Sequence, residues 1–292
     1  MAVSVKGVMG GGSKVFVDGE RYTQDLNLTA DYLDENLGAS VLSVEYDATM
    51  LNNEIYVLNS ITLYKWDGAA WVKVDTSFPS DKDISYGALV VLDNEINIIK
   101  SSYHYKWDGT AWTDVGSNIS GVSNAYKSAA AVLNDEVHII GGTFNETVHK
   151  KLSGTAWTDV STLPFKETNG SAVVLNNEIH VIGSLSGTGT YNVHYKWNGT
   201  AWTKVSTLPV NTYYTKAWVA NGEIYFSKDG SVYKWDGYAW TECKKLDTTT
   251  NSSGVKGFYI NGKHHLLTYL GNINSPSIGY HIIYNRKIYW EV

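Results

Sequence analysis

The chain has 292 residues, of which 43% are hydrophobic and 18% are charged, and its net charge is −6. The apolar fraction can build a folded core, whereas the negative charge argues against a nucleic-acid-binding protein, which needs a concentrated basic surface. The single cysteine excludes a disulfide framework and a zinc site built from cysteines. No apolar stretch is long enough to cross a membrane, and residues 1–10 lack the continuous apolar segment of a signal peptide.

Residues 1–43 lack the repeated pattern of the rest of the chain, so the sequence predicts a separate N-terminal arm. The segment from Lys14 to Thr23 alternates around an Asp-Gly pair and is typical of a β-hairpin. Further along, Thr29 is positioned to cap a short helix that ends at Gly38. The arm is either a packed extension or an attachment segment for a larger assembly.

From residue 44 onwards, two landmarks recur in step six times. The first is a pair of aromatic residues five positions apart, in the form Trp-Asp/Asn-Gly-x-Ala-Trp in four copies, whereas Leu152 takes the first position in one copy and the last copy is Tyr284 to Tyr289. The second members of these pairs are Trp71, Trp112, Trp157, Trp202, Trp240 and Tyr289. The second landmark is a tight turn of the Asn-Asn or Asn-Gly type upstream of each pair, which a glutamate follows in five of the six copies. Two landmarks in the same order predict six structural repeats of about 40–50 residues.

Each repeat contains signals for four short strands, a to d. Strand a is small and apolar and precedes the tight turn, strand b is rich in β-branched residues, and strands c and d carry the two aromatic residues. This is the pattern of one β-propeller blade. The sequence therefore predicts an all-β fold, a six-bladed β-propeller of four-stranded antiparallel blades over residues 44–292. We expect the ring to close by packing of the first blade against the last, with residues 14–22 as a candidate aid to closure, and with the alternative that residues 17–22 join a partial seventh blade.

The repeats resemble the kelch family, in which a strand ends in a Gly-Gly doublet and is followed by a tyrosine, an outer-strand tryptophan and a proline-containing loop. Gly141-Gly142 is the intact doublet of this chain, and Gly183-Ser184 is a weakened copy. The string Tyr-Lys-Trp-Asp-Gly-Thr-Ala-Trp-Thr is similar to kelch-type proteins of phages and mobile elements of Gram-positive bacteria. The resemblance implies a kelch-like propeller, a class that includes substrate adaptors, sugar-processing enzymes and virion proteins.

The histidines and the cysteine do not predict a metal or cofactor site. Four histidines share one slot, three residues before the first aromatic residue of a pair: His104, His149, His194 and His281. Leu63 and Val232 fill that slot in other repeats, which predicts packing between blades rather than metal ligation. Cys243 replaces a valine of the other repeats, which predicts a small buried residue and argues against the cysteine-containing site of kelch-like copper oxidases. The repeated tryptophans are likewise predicted to stabilise the fold rather than bind a ligand.

In a meander of four strands, the a–b and c–d turns lie at one end of the ring, and the b–c and d–a loops lie at the other. The first end, the tight-turn face, is uniform, and a recurring glutamate and lysine of each blade are expected to pair there. The second end, the variable-loop face, differs from blade to blade, and variable loops on a rigid scaffold often carry binding residues. Strand a begins at this face, so residues six or seven positions before its end are predicted to surround the mouth of the central channel. These candidate ligand-binding residues, with two neighbouring lysines, are Tyr86, Tyr126, Lys127, Tyr213, Tyr214 and Lys216.

Tyrosine offers a rigid, amphipathic contact area that suits protein or glycan partners. The sequence therefore favours a binding or structural protein without enzymatic activity, and it predicts neither nucleic acid nor a membrane interior as partner. The resemblance implies a phage protein, located in the virion, that contacts a host surface glycan or another virion protein and is attached through residues 1–43. Outside a phage, the lack of a signal peptide predicts the cytoplasm. Two alternatives stay open: a sugar-processing enzyme of the epimerase type, with Asp83, Lys127 and Lys216 as charged candidates, and an intracellular protein-interaction adaptor.

Overall fold

A computed structural model describes residues 14–17, 20–23, 35–36, 47–59, 62–67, 71–74, 87–100, 103–117, 128–142, 147–153, 156–165, 167–185, 192–212, 215–228, 231–245, 256–260, 263–272, 275–284 and 288–290. Every regular element among these residues is a β-strand. Within the same residues, no helix has the length and apolar character needed to cross a membrane.

The N-terminal arm contributes three short strands: β1 (Lys14–Val17), β2 (Glu20–Thr23) and β3 (Glu35–Asn36). β1 and β2 pair antiparallel, in the register of a hairpin. Glu35 and Asn36 fall within the segment that the sequence predicts as a helix, and that prediction is wrong for them because they form a strand. Thr29 and the rest of the predicted helix lie outside the described residues.

Five four-stranded antiparallel blades follow, each made of four consecutive strands from the inner strand a to the outer strand d. Blade 1 contains β4 (Asp47–Leu51), β5 (Glu54–Asn59), β6 (Thr62–Trp66) and β7 (Trp71–Lys73). Blade 2 contains β8 (Ala88–Leu92), β9 (Glu95–Lys100), β10 (Tyr103–Trp107) and β11 (Trp112–Ser117). Blade 3 contains β12 (Ala129–Leu133), β13 (Glu136–Ile140), β14 (Val148–Ser153) and β15 (Ala156–Thr162). Blade 4 contains β16 (Glu167–Leu175), β17 (Glu178–Leu185), β18 (Val193–Trp197) and β19 (Trp202–Thr207). Blade 5 contains β20 (Ala217–Ala220), β21 (Glu223–Lys228), β22 (Ser231–Trp235) and β23 (Trp240–Lys245).

The last repeat forms a different kind of sheet. Its first three strands are β24 (Lys256–Ile260), β25 (Lys263–Asn272) and β26 (Ser275–Tyr284). The fourth strand is β3 of the N-terminal arm, which pairs with β26 so that Asn36 lies opposite Gly279. The predicted strand d, β27 (Ile288–Trp290), pairs instead with β1 in a three-stranded sheet. β24 contacts β20 on one side and β4 on the other, so this last sheet stands between blade 5 and blade 1.

Among the described residues, five blades rather than the predicted six consist of four consecutive strands, whereas the last repeat contributes three strands to a four-stranded sheet that β3 completes. The physical reason lies in the turn between strands c and d. In blades 2, 4 and 5 this turn contains a glycine with positive φ, such as Gly109 at 100° and Gly199 at 96°, a region that other residues rarely adopt. The last repeat has Asn285-Arg286-Lys287 at this point, so the glycine that folds strand d back onto strand c is missing. The expected closure by packing of the first and last blades is supplemented by strand pairing, because the arm supplies β3 to the last sheet and β1 pairs with β27.

The turns between strands a and b follow the predicted hairpin pattern. Both central residues have positive φ in blades 1 to 4, for example Asn52 at 53° and Asn53 at 61°. This is the geometry of a type I′ turn, whose twist matches that of the flanking strands. Asparagine and aspartate tolerate this region because their short polar side chains can bond locally. In blade 5, Asn221 and Gly222 make the same turn with φ of 49° and 74°.

The hydrophobic core lies between adjacent blades rather than within one blade. Leu58 and Leu63 of blade 1, for example, pack in one cluster with Leu89, Ile96 and Ile98 of blade 2. The two tryptophans of a repeat stand directly opposite each other on strands c and d, with ring centroids 5.3–5.7 Å apart in four blades. These interfaces make each blade depend on its neighbours.

The predicted glutamate–lysine pairs are confirmed at the tight-turn face. The distances between Nζ and a carboxylate oxygen are 3.0 Å for Lys65–Glu54, 3.1 Å for Lys106–Glu95, 2.8 Å for Lys151–Glu136, 2.9 Å for Lys196–Glu178 and 2.8 Å for Lys234–Glu223. Each pair joins strands b and c of one blade and remains partly exposed. Exposed pairs of this kind contribute little stability, so their main effect is to neutralise the charges of this face.

Candidate functional site

The position four residues before the end of strand a is equivalent in the five blades and the last sheet, and it lies towards the variable-loop end of the central channel. Counting back four residues from the last residue of each strand a gives Asp47, Ala88, Ala129, Ser171, Lys216 and Lys256. Three of these side chains are small, and they belong to blades 2, 3 and 4. The other three are charged, and they belong to blade 5, the last sheet and blade 1, which follow one another around the ring.

Asp47, Lys216 and Lys256 form the channel charge cluster. The Oδ1 atom of Asp47 lies 3.1 Å from Nζ of Lys216 and 3.9 Å from Nζ of Lys256. The Oδ2 atom of Asp47 accepts a hydrogen bond of 2.9 Å from the backbone N–H of Leu89 in blade 2. Asp47 is only 8% exposed, so solvent screens these charges weakly.

The contact between Asp47 and Leu89 has a counterpart in blade 4. There, Ser171 Oγ accepts a hydrogen bond of 2.9 Å from the backbone N–H of Ala217 in blade 5. Counted from the end of strand a, Ser171 and Ala217 hold the same positions as Asp47 and Leu89, so in both places a side chain four residues before that end connects one blade to the next. The hydroxyl group of Ser171 is thus sufficient to make this hydrogen bond between neighbouring blades. The negative charge of Asp47 is therefore an additional feature, and its partners are the two lysines.

The charges of the cluster shift one another's proton affinity. Burial by itself would raise the pKa of Asp47, but the charges of Lys216 and Lys256 and the N–H of Leu89 outweigh it, so the pKa lies below its ordinary value. Burial lowers the pKa of Lys256, an effect that Asp47 opposes and Lys216 reinforces. The cluster thus combines an ionised carboxylate with a lysine that releases its proton more readily than an exposed one.

Among the predicted ligand-binding residues, the structure describes Lys216 and brings it into the channel charge cluster. The others lie outside the described residues: Tyr86, Tyr126, Lys127, Tyr213 and Tyr214. Sequence reasoning missed Asp47 and Lys256. The repeat itself carries the signal that finds them, because each lies four residues before the end of its strand a, as Lys216 does.

The histidine slot packs between blades, as the sequence predicts. His149 is 1% exposed, and its ring meets Trp197 and Trp202 of the next blade in T-shaped contacts, with centroid distances of 5.0 Å and 5.2 Å. His194 makes the equivalent contacts with the tryptophan pair of blade 5. His281 is not among the residues whose side chains are described.

A chain of hydrogen bonds runs through this slot. In blade 3, the indole N–H of Trp202 donates to Ser161 Oγ at 3.1 Å, and that oxygen lies 3.2 Å from His149 Nδ1. His149 Nε2 lies in turn 2.9 Å from His138 Nδ1. Because the serine hydroxyl can donate to Nδ1, His149 is satisfied as a neutral ring with its proton on Nε2. Burial and the neighbouring His138 lower the pKa of His149 to about 3, which keeps the ring neutral at physiological pH. Within the part of the chain that the structure describes, no three or more His, Cys, Asp or Glu residues are grouped as metal ligands require.

Cys243 differs from its prediction, because it is exposed rather than buried. It lies on β23, the outer strand of blade 5, and its thiol donates to the carbonyl oxygen of Val232 at 3.3 Å. The matching Val205 of blade 4 is itself only half-buried. The slot therefore belongs to the outer rim of the ring, where one side of the strand faces solvent.

The consecutive four-stranded antiparallel blades define the chain as a β-propeller, a fold that is consistent with a binding or structural role. No protein-family model matches the chain, and no curated protein does. The solved structure of YjhT superposes with a TM-score of 0.71 at 10% sequence identity, over 88% of this chain and 100% of that chain. In all, 404 solved chains are similar, so the fold by itself does not select a function.

Proposed function

We propose that the chain is a binding propeller without enzymatic activity, which contacts its partner through the variable-loop face. The observation that carries the proposal is the difference between the two ends of the ring. At the tight-turn face, the charges repeat from blade to blade and are paired within each blade. At the variable-loop end, the channel charge cluster joins one aspartate and two lysines from three different sheets.

In this proposal the partner is a host surface glycan or another virion protein, and the chain is a kelch-type phage protein whose residues 1–43 attach it to the particle. The kelch resemblance of the sequence supports this setting. The tyrosines that the sequence assigns to the variable-loop face supply the contact area, and Lys216 supplies hydrogen-bond donors for sugar hydroxyls or carboxylates.

The test compares the two faces of the ring. Tyr86→Ala, Tyr126→Ala and Tyr214→Ala are expected to weaken binding to purified Gram-positive cell-wall glycan by about tenfold each, as loss of an aromatic contact residue does. Binding is measured by biolayer interferometry on immobilised glycan, and the melting temperature of each variant is recorded beside it. Mass spectrometry of purified phage particles then tests whether the chain belongs to a virion.

The matched control lies on the tight-turn face. Tyr238 is 92% exposed at the tip of the c–d turn of blade 5, so Tyr238→Ala removes an aromatic side chain of the same kind from the opposite end. We expect this variant to bind as the unmodified chain does. Loss of binding in Tyr238→Ala, with full binding in the variable-loop variants, would assign the working surface to the tight-turn face instead.

One observation favours a second candidate, a sugar-processing enzyme. The epimerase alternative requires charged groups that converge at the channel mouth, and Asp47, Lys216 and Lys256 do converge there. A lysine of lowered pKa is suited to remove a proton from a carbon centre. Incubation with hexoses, N-acetylhexosamines and acidic sugars in heavy water, followed by NMR, detects such a reaction. Deuterium incorporation that Lys256→Met abolishes would replace the binding proposal with this one.

A further inference from the structure

The channel charge cluster is unbalanced. Two ammonium groups share one carboxylate, so the ionised cluster carries one net positive charge. The ammonium group of Lys216 is within hydrogen-bond distance of Asp47, whereas that of Lys256 lies 3.9 Å from the carboxylate and makes no hydrogen bond to any residue that the structure describes. The side chain of Lys256 is 18% exposed. A largely buried ammonium group without a hydrogen bond is costly, and an anion at this point would offset that cost.

The equivalent positions of the other blades carry no competing charge. They are Ala88, Ala129 and Ser171 in blades 2, 3 and 4. Oδ2 of Asp47 already accepts the N–H of Leu89, which fixes the carboxylate against the wall. The two lysines therefore approach Asp47 from blade 5 and the last sheet, and they are the two cations at the equivalent positions of the described sheets.

We infer that the variable-loop end of the channel binds a monovalent carboxylate, held between the ammonium groups of Lys216 and Lys256, with Asp47 fixing the positions of both. One negative charge matches the excess of one positive charge, whereas a phosphate dianion would overcompensate it. The carboxylate belongs to an acidic sugar or to an acidic side chain of a partner protein. The inference rests on the proposed function in one respect, because it places a ligand group at the same face.

The test uses small probes, so it does not depend on the partner. Glucuronate and glucose differ in a carboxylate, acetate carries the carboxylate without a sugar, and a glutamate-containing tripeptide carries it on a protein side chain. Binding is measured by isothermal titration calorimetry and by NMR shifts of the lysine ε-methylene groups. We expect glucuronate to bind, glucose not to bind, and Lys216→Met and Lys256→Met each to weaken glucuronate binding by at least about tenfold.

The control is Lys196→Met, which removes a more exposed lysine that is paired with Glu178 at the tight-turn face. This variant is expected to bind glucuronate as the unmodified chain does. In the unmodified chain, affinity is also expected to fall with rising pH before an ordinary lysine would lose its proton, because burial lowers the pKa of Lys256. Melting temperatures establish that each variant is folded.

Several outcomes overturn the inference: equal binding of glucuronate and glucose, full binding by folded Lys216→Met and Lys256→Met, or inorganic phosphate binding more tightly than every carboxylate. Preference for the tripeptide over glucuronate would assign the carboxylate to a protein partner, and the reverse would assign it to an acidic sugar. If glucuronate binds and cell-wall glycan does not, the carboxylate site stands and the proposed partner fails. If the glycan binds and no carboxylate does, the proposed partner stands and the carboxylate site fails.

Discussion

The buried histidines are expected to make the ring sensitive to mild acid. Burial lowers the pKa of His104 and His180 to about 4, and that of His149 and His194 to about 3. A histidine of the unfolded chain has a pKa of about 6.5. Below that pH the unfolded chain binds protons that the folded ring does not. The free energy of unfolding is therefore highest above about pH 7 and decreases as the pH falls towards 4.

The magnitude follows from proton linkage. Each such histidine removes about 1.4 kcal/mol of stability per pH unit below its unfolded pKa. At pH 5 the loss is about 2 kcal/mol for one histidine and about 8 kcal/mol for four. This loss is comparable to the total stability of an ordinary domain, about 5–15 kcal/mol. We therefore expect the ring to unfold near pH 5 without denaturant.

The ring itself suggests the variant that tests this prediction. Blade 5 has Tyr225 and Val232 where blade 4 has His180 and His194, so the double variant His180→Tyr, His194→Val copies a solution that the same fold already accepts. Between pH 7.5 and pH 5, the free energy of unfolding of this variant is expected to decrease by about 4 kcal/mol less than that of the unmodified chain. Urea unfolding at pH 7.5, 6 and 5, followed by tryptophan fluorescence, measures the difference.

The control for this experiment is Lys204→Gln, a change at an exposed position of the same blade, which should follow the unmodified chain at every pH. The refuting result is a double variant that loses as much stability in acid as the unmodified chain. The histidines would then accept protons in the folded ring, and the argument from burial would be wrong.

Three further changes probe the packing of the ring by urea unfolding. Trp202→Ala is expected to lower the free energy of unfolding by about 3 kcal/mol, which is the lower end for a buried aromatic residue because the indole ring is partly exposed. The variant also loses the hydrogen bond to Ser161, and a loss below about 1 kcal/mol would contradict the packing role. Asp47→Asn should cost about 2 kcal/mol, because two partly buried lysines lose their counter-charge, and an unchanged unfolding midpoint would show that they repack freely. Gly257→Ala should cost about 1–3 kcal/mol, because the added methyl group would overlap the indole ring of Trp218, and the double change with Trp218→Leu should recover part of the loss.

Local signals account for what the sequence predicted of the fold. The a–b hairpins are set by Asn52-Asn53 and its copies, which adopt the left-handed region within four residues of chain, so no distant contact is needed to place them. The strand pairings of the last repeat could not be predicted from such local signals. β27 pairs with β1 and β3 joins β26, and these pairings connect residues that lie far apart in the sequence and carry no shared motif.

The residues of the candidate site also differ in whether local sequence signals predict them. Lys216 was predicted because it stands beside two tyrosines near the start of its strand a, which is a local pattern. Asp47 has one tyrosine beside it, Tyr46, and Lys256 follows a valine, so neither has a pair of tyrosines next to it. Their importance comes from the distances of 3.1 Å and 3.9 Å that unite three sheets. Charge complementarity across a channel is a property of the closed ring. A sequence motif therefore does not encode the contact between the three charges, although their shared position in strand a could have indicated it.

The pairing of β3 with β26 has a consequence for how the molecule is made. Asn36 must wait for Gly279 to leave the ribosome, and β1 must wait longer still for β27, so the pairings of the N-terminal arm are the last that synthesis permits. The five blades between β3 and β26 consist of consecutive strands, and each can form as soon as its own four strands are exposed. The nascent chain thus passes through a stage in which five blades are folded and the ring is still open. Contacts of such large sequence separation form slowly, because a long loop must close before they contribute. During that interval, the exposed faces of blade 1 and blade 5 are the surfaces that a chaperone or a second nascent chain would meet.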